Sequence, residues 1–169
     1  NVERICEDAY RMGVKYLTVY VFSTENWSRP AEEVEALMKL LRNYMKTCLK
    51  TAAKNDMKIR VIGDITPLDE DIKKRIHELE EASRNNGGLN FTIALNYGSR
   101  DEIIRAVKRL AQDCVDQKVK PEEIDEKLYA SYLDTRELPD PDLSHPLQII
   151  RDLGVSRRIW RWLTVFGIL

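Results

Sequence analysis

Three short runs rich in β-branched and aromatic residues alternate with segments of helical periodicity, and this alternation limits the folds open to the chain. The runs span residues 15–22, 57–62 and 89–95. Strands that are separated by helices cannot be joined by tight hairpins, so they run parallel and the helices cover both faces of their sheet. We therefore expect an α/β fold with one parallel sheet, and 169 residues are enough for one domain with a substantial core.

Ordinary start and stop signals delimit the predicted helices, which span residues 2–12, 30–50, 67–84 and 99–115, with a further helix after Pro121. Pro30 suits a first helical turn, where no N–H is required. Ser99 and Glu102 have the spacing of a capping box. The second helix carries an apolar stripe made of Val34, Leu37, Met38, Leu41, Tyr44, Met45 and Cys48. The fourth helix is expected to bury Ile103, Val107, Leu110 and Cys114.

Composition excludes several function classes. With 27 Lys and Arg against 28 Asp and Glu, the chain has no general attraction to nucleic acid or to an anionic membrane. Cys6, Cys48 and Cys114 are widely spaced at apolar helix positions, which indicates reduced thiols in a cytoplasmic protein. His77 and His145 have no zinc-ligand spacing. No apolar run is long enough to span a membrane, and no signal peptide is visible.

The segment with the clearest chemical content follows the first predicted strand and reads FSTENWSRP over residues 22–30. Polar groups between a buried strand and a helix N-terminus can hold an anion such as phosphate. Arg29 could grip two phosphate oxygens, or could be a solvated residue at a helix start. The amide of Asn26 is a very poor base, so we interpret it as orienting a substrate or as capping the strand end, and these roles are compatible. Glu33 either supports this site or is an exposed helix carboxylate.

This segment and the helix that follows it, which carries E-V-x-x-L-M, resemble the signature of the cis-prenyltransferases, the undecaprenyl and dehydrodolichyl diphosphate synthases. NYGSRDEI at residues 96–103 is similar to the family's N-Y-G-G-R-x-E-I stretch. Weaker matches are RVIGD at residues 60–64 and LPDPDL at residues 138–143. The resemblance implies a fold like that of undecaprenyl diphosphate synthase, with a hydrophobic tunnel that the apolar stripe of the second helix helps to line.

The resemblance also implies an activity: isopentenyl diphosphate condenses onto an allylic prenyl diphosphate to make long-chain polyprenyl diphosphate, with Mg²⁺ as cofactor. Asn26 then stands at the family's proton-acceptor position, and Arg29 at the allylic diphosphate site. The remaining implied residues are Ser23, Thr24 and Glu25 as substrate contacts, and Phe22 and Trp27 as walls of the prenyl site. For residues 96–100 we favour a scaffold role over catalysis. A homodimer and peripheral membrane contact through the product are implied as well, with no nucleic-acid partner.

The chain departs from the family pattern near both ends. The family opens with a strand and a D-G-N-G-R-W loop whose aspartate organises Mg²⁺; this chain has no such segment, so none of its residues is assigned as a metal ligand. The family's I-R-T-S-G-E stretch is echoed only by Ile149-Ile150-Arg151, which makes Arg151 a candidate for one diphosphate arginine. We expect residues 1–143 to form a cis-prenyltransferase-like domain that lacks its N-terminal strand and loop.

Residues 144–169 are expected to be a divergent tail that is not native to the family, such as the product of a shifted reading frame. Its arginines and tryptophans could also be interpreted as a membrane or nucleic-acid contact. We expect the chain alone not to turn over. Two other functions stay open: a non-catalytic subunit of a prenyltransferase, and a phosphate-binding module. The FSTENWSRP segment argues against the subunit, because a purely structural partner does not need those polar groups.

Overall fold

The computed structural model describes residues 2–142, so Arg151 and the predicted tail lie outside the described residues. The strands are β1 (Tyr16–Ser23), β2 (Lys58–Ile62) and β3 (Asn90–Tyr97). The helices are α1 (Val2–Arg11), α2 (Ala31–Lys54), α3 (Glu70–Ser83), α4 (Ser99–Val115) and α5 (Glu126–Ala130). The three predicted strands are confirmed, whereas the segment after Pro121 forms a short 3₁₀ turn followed by the five-residue α5.

All three strands run parallel in the order β1-β3-β2, which confirms the predicted α/β sheet. β3 is central, and every one of its residues after Asn90 is buried. On β1, exposed and half-buried residues alternate up to Val21, so that one of its faces is open among the described residues. Because the strands are parallel, their carboxyl ends meet at one edge of the sheet, where binding sites of open α/β folds form.

The main core lies between the sheet and the helices α2 and α3. Its buried side chains include Met38, Leu41 and Met45 from α2, Ile72, Ile76 and Leu79 from α3, and Phe91, Ile93 and Leu95 from β3. The apolar stripe predicted for α2 is therefore a core face at its centre, while Val34, Leu37 and Tyr44 are only partly buried. Burial of these side chains removes apolar surface from water and is the main driving force for the fold.

A second, smaller cluster of Ile62, Ala94 and Tyr97 lies on the other face of the sheet. The prediction for α4 was partly wrong. Leu110 is buried as predicted and Cys114 is half-buried, but Ile103 and Val107 are exposed at 46% and 47%, and α4 buries Glu102 and Ala106 in their place. The buried residues Glu102 and Ala106 and the exposed residues Ile103 and Val107 occupy neighbouring faces of α4. The hydrogen bonds of Glu102 hold its own face against the rest of the protein.

The capping box predicted for Ser99 and Glu102 is also wrong. The N-cap of α4 is Gly98, and no side chain caps this end of the helix. Glu102 is 4% exposed, and its carboxylate accepts hydrogen bonds from the Tyr97 hydroxyl and from a later segment of the chain. The Glu102 carboxylate therefore bonds to a segment that is distant in sequence, and not to the backbone N–H groups at the start of its own helix.

The described part of the chain bears on two expectations from composition. Its three cysteines form no disulfide with one another; Cys6 and Cys48 are buried and Cys114 is half-buried. Between residues 2 and 142, no helix combines the length and the apolar character needed to cross a membrane.

Candidate active site at the carboxyl edge of the sheet

The FSTENWSRP segment folds as the end of β1, one 3₁₀ turn and the start of α2. Phe22 and Ser23 finish the strand, and Thr24–Ser28 form the turn. Arg29 has extended backbone angles, and α2 begins two residues later at Ala31. This arrangement places the polar side chains of the segment beside the N-terminus of a 24-residue helix, where the helix dipole favours negative charge.

Asn26 is buried at 7% exposure and stabilises its own turn. Its side-chain Oδ1 accepts a hydrogen bond of 2.8 Å from the backbone N–H of Ser23. Since that N–H can only donate, the orientation of the amide is fixed: the oxygen is occupied and Nδ2 is the group that can donate to a ligand. The capping role anticipated for Asn26 is therefore present, and it leaves an N–H donor for the orienting role.

The aromatic residues of the segment have different environments. Phe22 belongs to the core at 2% exposure, whereas Trp27 is 42% exposed. Their rings meet edge to face, with centroids 5.0 Å apart and an interplanar angle of 72°. Phe22 thus supports the inner edge of Trp27, and the open face of the indole is available to an apolar ligand.

The charged residues of the segment lie at its surface. The half-buried Arg29 approaches Glu33 of α2, with Nη1 3.6 Å from Oε2, while Glu25 is exposed. An exposed ion pair at this distance contributes little to stability, so the guanidinium can exchange it for a better anion at small cost. Glu33 is a solvated helix carboxylate in this structure, in contact with the arginine of the segment.

An open pocket of about 310 Å³ lies at the carboxyl edge of the sheet. Its lining residues lie at or after the carboxyl ends of all three strands: Thr24, Trp27, Asp64, Pro67, Asn96 and Asp101. Thr24 can approach closely because its neighbour is a glycine: a Cβ on Gly98 would lie 2.5 Å from the Thr24 hydroxyl. The pocket therefore joins the FSTENWSRP segment to the NYGSRDEI segment, which the sequence places more than 70 residues later.

Asn96 and Asp64 are site residues that were not assigned from the sequence. Asn96 accepts a hydrogen bond from Trp27 Nε1 at 2.8 Å and donates one to the carbonyl oxygen of Asp64 at 2.6 Å. The carboxylate of Asp64 accepts from the backbone N–H of Thr66 at 2.9 Å, and hydrogen bonding to Thr66 holds the pKa of Asp64 below its ordinary value. The sequence did contain a signal for both residues, because each stands at a strand end within a segment that resembles a family motif.

A segment near residue 134 is fastened across the ends of β2 and α4. The carboxylate of Asp134 accepts hydrogen bonds from Arg105 Nη2 at 2.8 Å and from the backbone N–H of Gly63 at 3.2 Å. Arg105 also reaches Asp101 in the pocket wall, at 2.7 Å. Asp134, Arg105 and Asp101 thus link this segment to the site through a chain of ion pairs.

Acidification is expected to weaken this link. Burial raises the pKa of Asp134. The opposite effect of Arg105, the Gly63 N–H and Arg109 is larger, so the net pKa lies below the ordinary value. A carboxyl group whose pKa is lowered by folding stabilises the fold at pH values above its unfolded pKa of about 3.9. This contribution is lost as the pH falls through the folded pKa. Asp134→Asn should therefore lower the free energy of unfolding near neutral pH and flatten its decline below about pH 4.

The measurement is urea unfolding of Asp134→Asn and of the parent chain at several pH values, with exposed Asp140→Asn as the matched control. An acid decline of equal steepness in Asp134→Asn and in the parent would show that Asp134 does not contribute to the pH dependence.

Comparison with known proteins identifies the family of this site. Residues 1–159 match the family model described as putative undecaprenyl diphosphate synthase. The chain belongs to this family. It is 40% identical over 157 residues to an isoprenyl transferase of Clostridium perfringens, and 42% identical over 157 residues to the ditrans,polycis-undecaprenyl-diphosphate synthase of Micrococcus luteus. These matches cover 93% of the chain, which spans 60% and 61% of the two relatives.

Solved structures of the family share the fold. The lavandulyl diphosphate synthase of Lavandula x intermedia, in complex with dimethylallyl diphosphate, matches with a TM-score of 0.78 and 28% identity, over 83% of this chain and 60% of that one. A probable undecaprenyl diphosphate synthase from Campylobacter jejuni matches with a TM-score of 0.70 and 32% identity, over 79% of this chain and 62% of that one. The resemblance of the motifs to cis-prenyltransferases is therefore confirmed, as is the fold class.

Proposed function

We propose that the protein performs cis-prenyl transfer, condensing isopentenyl diphosphate onto an allylic prenyl diphosphate to form long-chain polyprenyl diphosphate. The observation that carries the proposal is the fold of FSTENWSRP in a member of this family. One turn brings together a guanidinium, an amide donor and an exposed indole beside a helix N-terminus. These groups suit the two halves of a prenyl diphosphate, one strongly anionic and one apolar.

In this proposal, Arg29 and Asn26 hold the allylic diphosphate. The guanidinium leaves its exposed contact with Glu33 for two phosphate oxygens, because bidentate bonds to an anion of higher charge are stronger. Asn26 Nδ2 donates to a further oxygen. Ser23 and Thr24 surround this position from the end of β1, and Glu25 stands at its exposed rim. Trp27 forms the wall that faces the prenyl chain, with Phe22 behind it.

The chemistry separates into bond making, bond breaking and proton loss. The C–O bond of the allylic diphosphate breaks and the diphosphate leaves with the electron pair, while a C–C bond forms to the terminal alkene carbon of isopentenyl diphosphate. The proton from C2 then passes to an oxygen base. Asn26 does not serve as this base, because its amide oxygen is engaged by the Ser23 N–H and an amide is a very weak base. Arg29 stabilises the charge that develops on the departing diphosphate.

Mg²⁺ belongs to the proposal through the family resemblance alone. Among residues 2–142, no group of three His, Cys, Asp or Glu side chains is arranged to hold a metal ion. The described residues therefore offer no all-protein cage for Mg²⁺, and no step is assigned to the ion. The family resemblance also adds a homodimer, an apolar tunnel along α2 and contact of the product with a membrane surface to the proposal.

The diphosphate role of Arg29 has a direct test by binding. We expect Arg29→Ala to weaken the affinity of the chain for farnesyl diphosphate by about thirtyfold, since charge-assisted hydrogen bonds contribute about 1.5–3 kcal/mol. Isothermal titration calorimetry in buffer with Mg²⁺ measures it. The matched control is Arg84→Ala, which removes another arginine that pairs with a neighbouring glutamate on a helix surface, here Glu81.

Equal affinities of the Arg29→Ala and Arg84→Ala chains would contradict the assignment. Titration with inorganic diphosphate separates the proposed function from a general phosphate-binding module. A prenyl-diphosphate site should bind farnesyl diphosphate more tightly, because the apolar chain contacts Trp27. Equal affinity for the two ligands would favour the phosphate-binding module.

A further inference from the structure

Asn96 occupies an unusual position at the end of the central strand. It is 3% exposed and has a positive φ of 47°, in the left-handed region that few residues other than glycine, asparagine and aspartate adopt readily. The pairing of β1 with β3 is irregular here: Phe22 pairs with Leu95 and Ser23 with Tyr97, so Asn96 has no partner residue on β1. Irregular pairing of this kind redirects a side chain out of the ordinary strand alternation.

The redirected side chain joins the ends of the other two strands. Its Oδ1 accepts from Trp27 Nε1 at 2.8 Å, in the turn after β1, and its Nδ2 donates to Asp64 O at 2.6 Å, in the loop after β2. The backbone oxygen of Asn96 also accepts from the Asp64 N–H at 3.2 Å. The indole can only donate and the carbonyl can only accept, so the position requires a short side chain with one acceptor and one donor.

Asparagine is the residue that meets these requirements together. Glycine accepts the backbone conformation but makes neither side-chain bond, and aspartate would place a carboxylate oxygen against the Asp64 carbonyl. Trp27 is 42% exposed, so its edge-to-face contact with Phe22 does not fix the ring alone, and the bond from Nε1 to Asn96 adds a second restraint. Two walls of the pocket, Trp27 and Asp64, are thereby held by one buried amide.

We infer that Asn96 is a positioning residue that sets the orientation of Trp27 and the spacing between Trp27 and Asp64. The expected effect on ligand affinity rests on the proposed function, in which the prenyl chain lies against Trp27. The expected effect on the orientation of the indole rests on the hydrogen-bond geometry alone. The two parts can therefore be tested separately.

The test uses the whole chain with Trp160→Phe and Trp162→Phe, which leaves Trp27 as the only tryptophan. In this background, Asn96→Gly should raise the acrylamide quenching constant of Trp27 about twofold and lower its fluorescence anisotropy, because the indole loses its restraint. Asn96→Asp should show a smaller change in both values than Asn96→Gly, since a carboxylate oxygen still accepts from Nε1 although the bond to Asp64 O is lost. The matched control is Asn90→Ala, at the opposite end of β3, where the side chain bonds Lys15 O.

Variants are compared at equal far-ultraviolet circular dichroism, so that a partly unfolded chain does not imitate the effect. The inference is supported if Asn96→Gly raises the quenching constant of Trp27 and lowers its anisotropy while Asn90→Ala leaves both unchanged. Smaller changes in Asn96→Asp than in Asn96→Gly support it as well. Unchanged quenching and anisotropy in Asn96→Gly would overturn it. Affinity for farnesyl diphosphate should fall about fivefold in Asn96→Gly. If the parent does not bind this ligand, the proposed function fails, while the fluorescence result still decides the role of Asn96.

Discussion

Gly63→Ala is expected to destabilise the protein by about 4 kcal/mol, enough to unfold a large part of the population of a marginally stable domain. Gly63 follows β2 and has a φ of +115°, which is outside the left-handed region open to other residues. A Cβ at this position would lie 2.1 Å from Leu95 O and 3.0 Å from Asn96 O. These are backbone atoms of the central strand, and they cannot retreat without disturbing the pairing on both sides of β3.

The same sequence provides a matched control for this substitution. Gly13 also has a positive φ, at +82°, but no atom lies within 4 Å of its added Cβ. Gly13→Ala should therefore cost only the backbone strain, about 1–2 kcal/mol. Urea unfolding followed by circular dichroism compares the two. Equal losses would show that backbone conformation accounts for the whole effect and that the close approach to Leu95 contributes nothing.

Glu102→Ala is expected to cost about 3 kcal/mol, because it leaves one buried and two half-buried donors without an acceptor. One carboxylate oxygen accepts from Tyr97 Oη at 2.6 Å, and the other accepts from the backbone N–H groups of Asp134 and Thr135 at 2.7 and 3.3 Å. The phenol is affected as well: burial and the hydrogen bond to Glu102 raise the pKa of Tyr97 far above its ordinary value.

Glu102→Gln is the informative comparison. Its side-chain oxygen can still accept from the two backbone N–H groups, and the Tyr97 hydroxyl can rotate to accept from the new NH₂ group. We therefore expect a loss of about 1 kcal/mol in the free energy of unfolding, measured by urea unfolding beside Glu102→Ala. A loss for Glu102→Gln as large as for Glu102→Ala would show that charge, rather than the number of acceptors, accounts for the stabilisation.

Local chemistry in the sequence was sufficient to predict the elements of the fold. β-branched runs and apolar periodicity located the three strands and the helices α1 to α4, because each segment is consistent with its own propensity. The limits were less accurate where a turn precedes a helix: α3 begins at Glu70, after a short turn, and not at residue 67. The family motifs located the candidate site at the end of β1, and the pocket found there is lined by Thr24 and Trp27.

The rest depended on contacts that are distant in sequence. Ser99 and Glu102 match a capping box, but the half-buried backbone N–H groups of Asp134 and Thr135 compete for the same carboxylate. Asn96 reads as an ordinary strand end, and its role follows only when β3 is known to lie between β1 and β2. The inward stripe of α4 has the same cause, since Glu102 turns inward and Ile103 is left exposed.

Transfer activity of a hybrid enzyme tests the central claim most directly. Residues 13–142 of this chain would replace the matching segment of the Micrococcus luteus synthase, to which the chain is 42% identical. This supplies the flanking segments that the family pattern contains. We predict that the purified hybrid incorporates labelled isopentenyl diphosphate into long-chain polyprenyl diphosphate, and that Arg29→Ala in the hybrid lowers the rate by at least about a hundredfold. A folded hybrid that binds farnesyl diphosphate and transfers nothing, beside an active parent synthase, would contradict the account.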